Sequence, residues 1–219
     1  MFWTTGKNVV RTAMAVALTG LLVACSTGSD TVGNSQTLDL LKATVTRNKA
    51  PAPTATRDQL RAAITPEFRA QSGNVPLLLV SSLRVPVSSI LSRASVNQNV
   101  ETYITPDQIT FALRDGILIA SRGLGYDLMA ADVSGVSERI RAGSGTAVRT
   151  HKYLDGKNQL VPYRFDCSYA RAGAEVVESC SGEGLSFTNK YTLGAGGRIA
   201  VSTQWVSPGL QSYLIEHIR

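Results

Sequence analysis

The sequence predicts a mainly β fold, an antiparallel barrel-like or strongly curved meander with a short N-terminal helix. Three observations predict it. Short apolar or alternating runs recur from Val75 to Ile218. Glycine- or proline-bearing turns separate them, among them Thr105-Pro106-Asp107, Asp115-Gly116, Asp155-Gly156, Ala172-Gly173 and Pro208-Gly209. A sheet of that many strands must bury one face or close on itself.

Taken in order, the chain starts with a leader. Lys7 and Arg11 give a positive start, and Val9 to Leu22 is mostly apolar. That run has the length of a signal-peptide core and falls short of the roughly 20 residues of a spanning helix. Leu22-Val23-Ala24-Cys25 closes it. This is the four-residue pattern of a bacterial lipoprotein signal, so residues 1–24 are expected to be a signal peptide and the Cys25 thiol to carry lipid, palmitate included. Two or three acyl chains anchor stably, so the membrane is the first expected partner. An aspartate after the cysteine retains proteobacterial lipoproteins at the inner membrane. Ser26 stands there, so the expected location is the outer membrane, facing the periplasm.

Residues 25–55 read as the lipidated cysteine and a flexible tether, with Gly28, Gly33 and Ala50-Pro51-Ala52-Pro53. Residues 56–219 read as one β-rich domain. Thr56 and Gln59 have capping-box spacing, and Leu60, Ala63 and Ile64 share one helical face. Thr65-Pro66 is expected to end that helix. Leu77 to Val80 is a buried strand, while Val87 to Gln98 suits loop or strand. Val100, Thr102 and Ile104 alternate with polar neighbours, as do Ile109, Phe111 and Leu113. Asp115-Gly116 is a two-residue hairpin signal, with Ile117 to Ala120 as the return strand. Gly123 and Gly125 mark a corner; no phosphate-loop pattern completes them. Strands are expected over 147–154, 160–171, 175–180, 186–193 and 198–206. Leu210 to Ile218 is a last strand or a short helix.

Composition narrows the function classes. The chain carries 22 basic and 16 acidic residues, a formal +6. Loss of Lys7 and Arg11 leaves +4 on the body. The charges are scattered, whereas a nucleic-acid binder needs a clustered stripe, so no nucleic-acid partner is expected. Anionic lipid or acidic sugar polymers suit mild basicity. With Cys25 spent on lipid, Cys167 and Cys180 remain, an even pair in an oxidising compartment. A hairpin turning at Ala172-Gly173 sets them nearly opposite, so a structural disulfide is expected, worth roughly 3 kcal/mol at most by loop entropy.

Catalytic candidates are sparse. His151 and His217 are the two histidines, and no metal-ligand spacing surrounds them, so they read as surface or satisfied strand residues and no metal or cofactor is expected. Asp155, Asp166, Glu175, Glu178 and Glu183 could supply a carboxylate pair for glycan chemistry, which needs two carboxyls about 5–9 Å apart; turn and solvated-strand roles are the commoner use. No G-x-S-x-G occurs. Tyr153, Tyr163, Tyr169, Tyr191, Tyr213 and Trp205 suit sugar stacking or strand-face packing. No catalytic residue is assigned, and an enzyme is not expected.

Several stretches carry a family resemblance: Thr105-Pro-Asp-Gln108, Leu113 to Leu128 (LRDGILIASRGLGYDL), Asn189-Lys-Tyr191, Gly197-Arg-Ile199 and the segment 210–218. In order and spacing they resemble the YjbF/GfcB family of group 4 capsule and exopolysaccharide lipoproteins. The resemblance implies a mostly β, barrel-like lipoprotein of the outer membrane. It also implies a non-catalytic accessory role in making or exporting a polysaccharide, with polysaccharide or export-machinery proteins as partners. It supplies no catalytic residue. Two alternatives stand beside it: a carrier of a lipid or acyl chain in a sheet cavity, and a glycan-modifying enzyme.

Overall fold

The computed structural model describes residues 55–219. Cys25, the leader and most of the tether lie outside the described residues. Two short helices come first. Thr56 caps α1 (Arg57–Ala63): its hydroxyl accepts from the Gln59 N–H, and Gln59 Oε1 accepts the Thr56 N–H at 2.9 Å. Thr65-Pro66 does more than end that helix. Thr65 caps a second one, α2 (Pro66–Gln71), accepting from Phe68 N at 3.2 Å. Pro66 sits in its first turn, where a missing N–H costs nothing.

Twelve antiparallel strands follow. They are β1 (Leu77–Ser82), β2 (Ser88–Asn97), β3 (Val100–Ile104), β4 (Thr110–Arg114), β5 (Ile117–Arg122) and β6 (Ala130–Asp132). Then come β7 (Ser144–Leu154), β8 (Leu160–Ala172), β9 (Glu175–Gly182), β10 (Leu185–Leu193), β11 (Ile199–Ser207) and β12 (Gln211–Ile218). The ambiguous stretch after Val87 is therefore strand, and the last segment is strand rather than helix. Every strand pairs with its neighbours in sequence except β5 with β6, and β1 also pairs with β12, Leu77 opposite Ile218. The order runs around a nearly closed barrel, open between β5 and β6.

Local chemistry explains most of the hairpins. At the β4–β5 turn Asp115 and Gly116 have φ of 52° and 82°. Two positive φ values make the turn that matches strand twist, and Asp-Gly adopts it at low cost. One helix had no sequence signal: α3 (Val136–Ala142), which follows β6. Glycines 135 and 143 flank it, and Val136 and Ile140, one turn apart, are buried beneath it. Two apolar residues in seven are too few to announce a helical period.

Across the β5–β6 gap, one backbone bond and several side chains replace the ladder. Ser121 N donates to Leu128 O at 2.9 Å, and Arg122 reaches the Leu128 and Met129 carbonyls at 3.1 and 2.9 Å. The Asp127 carboxylate accepts from Gly123 N at 3.0 Å and Ser121 Oγ at 2.7 Å. The two-glycine corner is thus the barrel's seam.

The interior is filled. One apolar cluster joins Leu78, Leu91, Phe111, Leu118, Val206 and Ile215; another joins Ile117, Val136, Phe165, Val176, Tyr191 and Ile199. Gln204 on β11 crosses the interior to β5, accepting from Leu118 N and donating to Gly116 O, both at 2.8 Å. Outside, α1 packs on β1 and β2. Arg57 and Arg61 both bind Glu216 of β12.

Candidate functional site

The strand alternation of β7 to β10 turns several polar side chains inward. Glu178 is fully buried and takes hydrogen bonds from four donors. Arg149, Asn189 and Tyr191 each reach Oε2 at 2.7 Å, and Tyr169 donates to Oε1. Burial, the largest influence, would lower the Arg149 pKa, but the Glu178 carboxylate together with Tyr191 and Tyr169 outweighs it and raises it. Burial, then Glu178, pushes the Tyr191 and Tyr169 hydroxyls above their ordinary range. These donors stay protonated, and the cluster is a closed structural pair. Asn189 also accepts from Trp205 N at 2.7 Å, where the β10–β11 pairing has ended.

His151 is fully buried beside this cluster. Tyr153 gives its proton to Val206 O at 3.1 Å, so His151 Nδ1–H donates to Tyr153 at 2.9 Å. His151 Nε2 has no hydrogen-bond partner among the described residues. The ring stacks on Phe187 at 5.5 Å, and Phe187 stacks on Trp205 at 5.4 Å. Burial first, then Arg149, holds the His151 pKa well below 6.5. His217 faces Tyr103 edge-on at 6.4 Å, and burial, then Arg219, lowers it to about 4. A surface role for the two histidines is therefore corrected: both turn inward, because strand alternation sets orientation whatever the side chain. The satisfied role holds at His151 Nδ1 alone.

The carboxylates are dispersed. Asp155 accepts from Lys157 N and Gln159 N at 2.8 Å, as a turn residue. Asp166 and Glu175 pair with Arg164 and Lys190 at the surface, and Glu183 sits in the β9–β10 turn with φ 50°. Glu178 departs from a solvated-strand role, being buried against Arg149. Its hydrogen-bond partners are cationic and neutral donors, with no second carboxyl among them. Cys167 and Cys180 lie directly opposite on β8 and β9 and are disulfide-bonded. Their sulfurs and Glu178 lie together, but sulfurs committed to each other are not thiolate ligands.

Three concavities remain. A groove of about 940 Å³ crosses the outer face of β7 to β10, lined largely by hydroxyls such as Thr146, Ser168, Ser179 and Ser186. That polar face is unlike the apolar band of a membrane-spanning barrel. A cleft of about 480 Å³ lies at the entry pole, where α2 leads into β1. Arg69, Arg93, Arg141, Arg198 and Arg219 line it, against Glu101 and Asp115. Arg93 is paired with Glu101 at 2.8 Å, and Arg69 bonds the Val75 carbonyl at 2.7 Å. Arg141, Arg198 and Arg219 are exposed, and their side chains form no hydrogen bond or ion pair among the described residues. A third cleft, about 310 Å³, lies at the far pole between the seam loop and the β11–β12 turn, lined by Tyr126, Tyr153 and Tyr163. Of the tyrosines weighed from sequence, Tyr169, Tyr191 and Tyr213 pack inside, while Tyr153 and Tyr163 reach this cleft. Among apolar voids in the barrel, one of about 40 Å³ lies by Leu91 and Phe111. That is close to the ~30 Å³ share of one water, far below an acyl chain.

The arginine cleft and Tyr126 went unread in the sequence as sites. The five arginines are spread from position 69 to 219, and turns at one end of the barrel gather them. Their signal was the excess of positive charge, without an address.

Fold and clefts define a nearly closed β-meander with an arginine-lined cleft at one pole and a tyrosine-lined cleft at the other. The chain belongs to the group 4 capsule polysaccharide lipoprotein family (gfcB, YjbF), whose model matches residues 41–218. Membership sets it among lipid-anchored, membrane-associated proteins tied to capsule polysaccharide. The solved structure of the hypothetical lipoprotein YmcC from Escherichia coli (K12) has the same fold. Its TM-score is 0.61 at 12% identity, over 77% of this chain and 97% of that one. Comparison with curated proteins finds no significant match.

Proposed function

We propose that this lipoprotein is a non-catalytic accessory of capsule or exopolysaccharide production or export. It is anchored through Cys25 to the outer membrane and faces the periplasm. It holds the polymer by anionic groups in the arginine cleft. The observation that carries this reading is the convergence of Arg141, Arg198 and Arg219, uncommitted and exposed, on one cleft at the entry pole. Guanidinium groups match carboxylates in planar, two-point geometry. Exposed charge pairs contribute only about 0.2–1 kcal/mol each, so firm holding needs a repeating ligand that engages several at once, as a polymer does. The dispersed carboxylates support a binding rather than a hydrolytic role.

The test is binding of the host's own purified polysaccharide to the full lipidated chain in detergent, with polymer size measured before and after. Saturable, salt-sensitive binding with unchanged size is expected. Arg198→Ala with Arg219→Ala should weaken it by about tenfold, or 1.4 kcal/mol. Shortened polymer would overturn the non-catalytic reading. Binding indifferent to both substitutions would remove the arginine cleft from it.

A further inference from the structure

We propose that the tyrosine cleft at the far pole is a second binding site, for an uncharged sugar ring of the same polymer. This rests on the polysaccharide reading but is independent of the arginine cleft.

Tyr126 is the central observation. It is 70% exposed, more than any other large hydrophobic residue described. Yet its position is fixed on three sides. Ser207 Oγ donates to its carbonyl. The following residue, Asp127, ties the loop by accepting from Gly123 N and Leu124 N at 3.0 and 3.3 Å. Its ring rests on Gly209, where an added Cβ would come within 2.8 Å of Tyr126 Cγ. Exposing a large aromatic face gains nothing for folding. A face both exposed and held pre-organises binding, because no ordering cost remains at association.

The surroundings select the ligand. Leu154, Met129 and Pro208 add apolar surface suited to the C–H face of a pyranose, and Tyr163 adds a second ring. The Tyr153 hydroxyl is committed to His151 and Val206. The Tyr126 and Tyr163 hydroxyls have no hydrogen bond to the described residues and are available to sugar hydroxyls. The charged side chain in the lining is Asp127, whose oxygens already serve its own loop. No cation is among the lining residues, and Arg84 and Arg122, which approach it, donate to the Gly209 and Met129 carbonyls, so the lining itself offers a carboxylate no cation. A volume of about 310 Å³ lies at the small end of ligand pockets, suiting one or two rings rather than a long segment.

The experiment uses the full lipidated chain in detergent. The probes are the host's polysaccharide and the same polymer after chemical reduction of its carboxylates to alcohols. The reduced polymer should bind wild type with little dependence on salt. Tyr126→Ala should weaken that binding by about tenfold, with near-ultraviolet circular dichroism confirming an intact fold. Tyr163→Phe, which keeps the ring and removes the hydroxyl, should weaken it less. Arg198→Ala with Arg219→Ala should leave it unchanged. Native polymer that binds through the arginines while the reduced polymer fails to bind overturns the tyrosine site alone. Reduced polymer whose binding ignores Tyr126→Ala overturns it as well. Tyrosine-dependent binding of the reduced polymer, with arginine-independent binding of the native one, upholds this site and rejects the basic cleft. Failure of both polymers to bind rejects both.

Discussion

Glu178 shows what one buried charge demands. It has no exposure, and every partner around it donates a hydrogen bond. Removing it leaves Arg149 charged in an apolar interior, whereas removing both charges leaves neither unpaired. Glu178→Ala is therefore expected to lower unfolding free energy by about 3–5 kcal/mol. A double replacement, Arg149→Met with Glu178→Leu, should cost much less than the two single changes together. Chemical denaturation of the wild type, the Arg149→Met and Glu178→Leu single variants and the double variant measures this, and additive losses would mean the two residues are not coupled. The sequence shows why these partners were illegible. They lie 29 positions apart on strands that are not neighbours. Inward-pointing charge on a strand carries the same alternation as outward-pointing charge. Cys167 and Cys180 were legible, because one hairpin fixes their register.

At the scale of elements, the hairpins follow from local turn chemistry. Asp115-Gly116 needs no tertiary help to turn. The short strand β6 and the helix α3 do need it, and neither showed a period of its own. The seam between β5 and β6 is the weakest part of the wall, since it rests on one backbone bond and side chains instead of a continuous ladder. Asp127→Ala would strip the acceptor from the Gly123 and Leu124 amides. Hydrogen exchange at those amides should then accelerate by an order of magnitude or more, with the β8–β9 ladder unchanged. Equal acceleration in both places would mean that the seam opens only with the whole barrel.

For the whole molecule, buried neutral histidines link stability to pH. The His217 pKa in the fold is about 4, below its ordinary 6.5, and His151 is lowered too. The unfolded chain binds more protons within that window, so stability is full above about pH 6.5 and declines as pH falls toward 4. The slope is up to about 1.4 kcal/mol per pH unit for each histidine. Thermal melts across this range should show the decline, and His217→Phe should flatten it. An unchanged slope in that variant would assign the acid sensitivity elsewhere. The two candidate clefts likewise belong to this scale. Their residues come from many turns, and the barrel alone decides which turns share a pole.

The pairing of β1 with β12 also has a consequence for how the molecule is made. A chain emerging amino end first can build hairpins from β1 onward, yet one edge of β1 stays bare until the last strand arrives. Closure joins Leu77 to Ile218, a contact of very long range, and such contacts come late and slowly. The folding chain therefore stays an open, unfinished sheet until β12 docks against β1, and that docking closes the barrel.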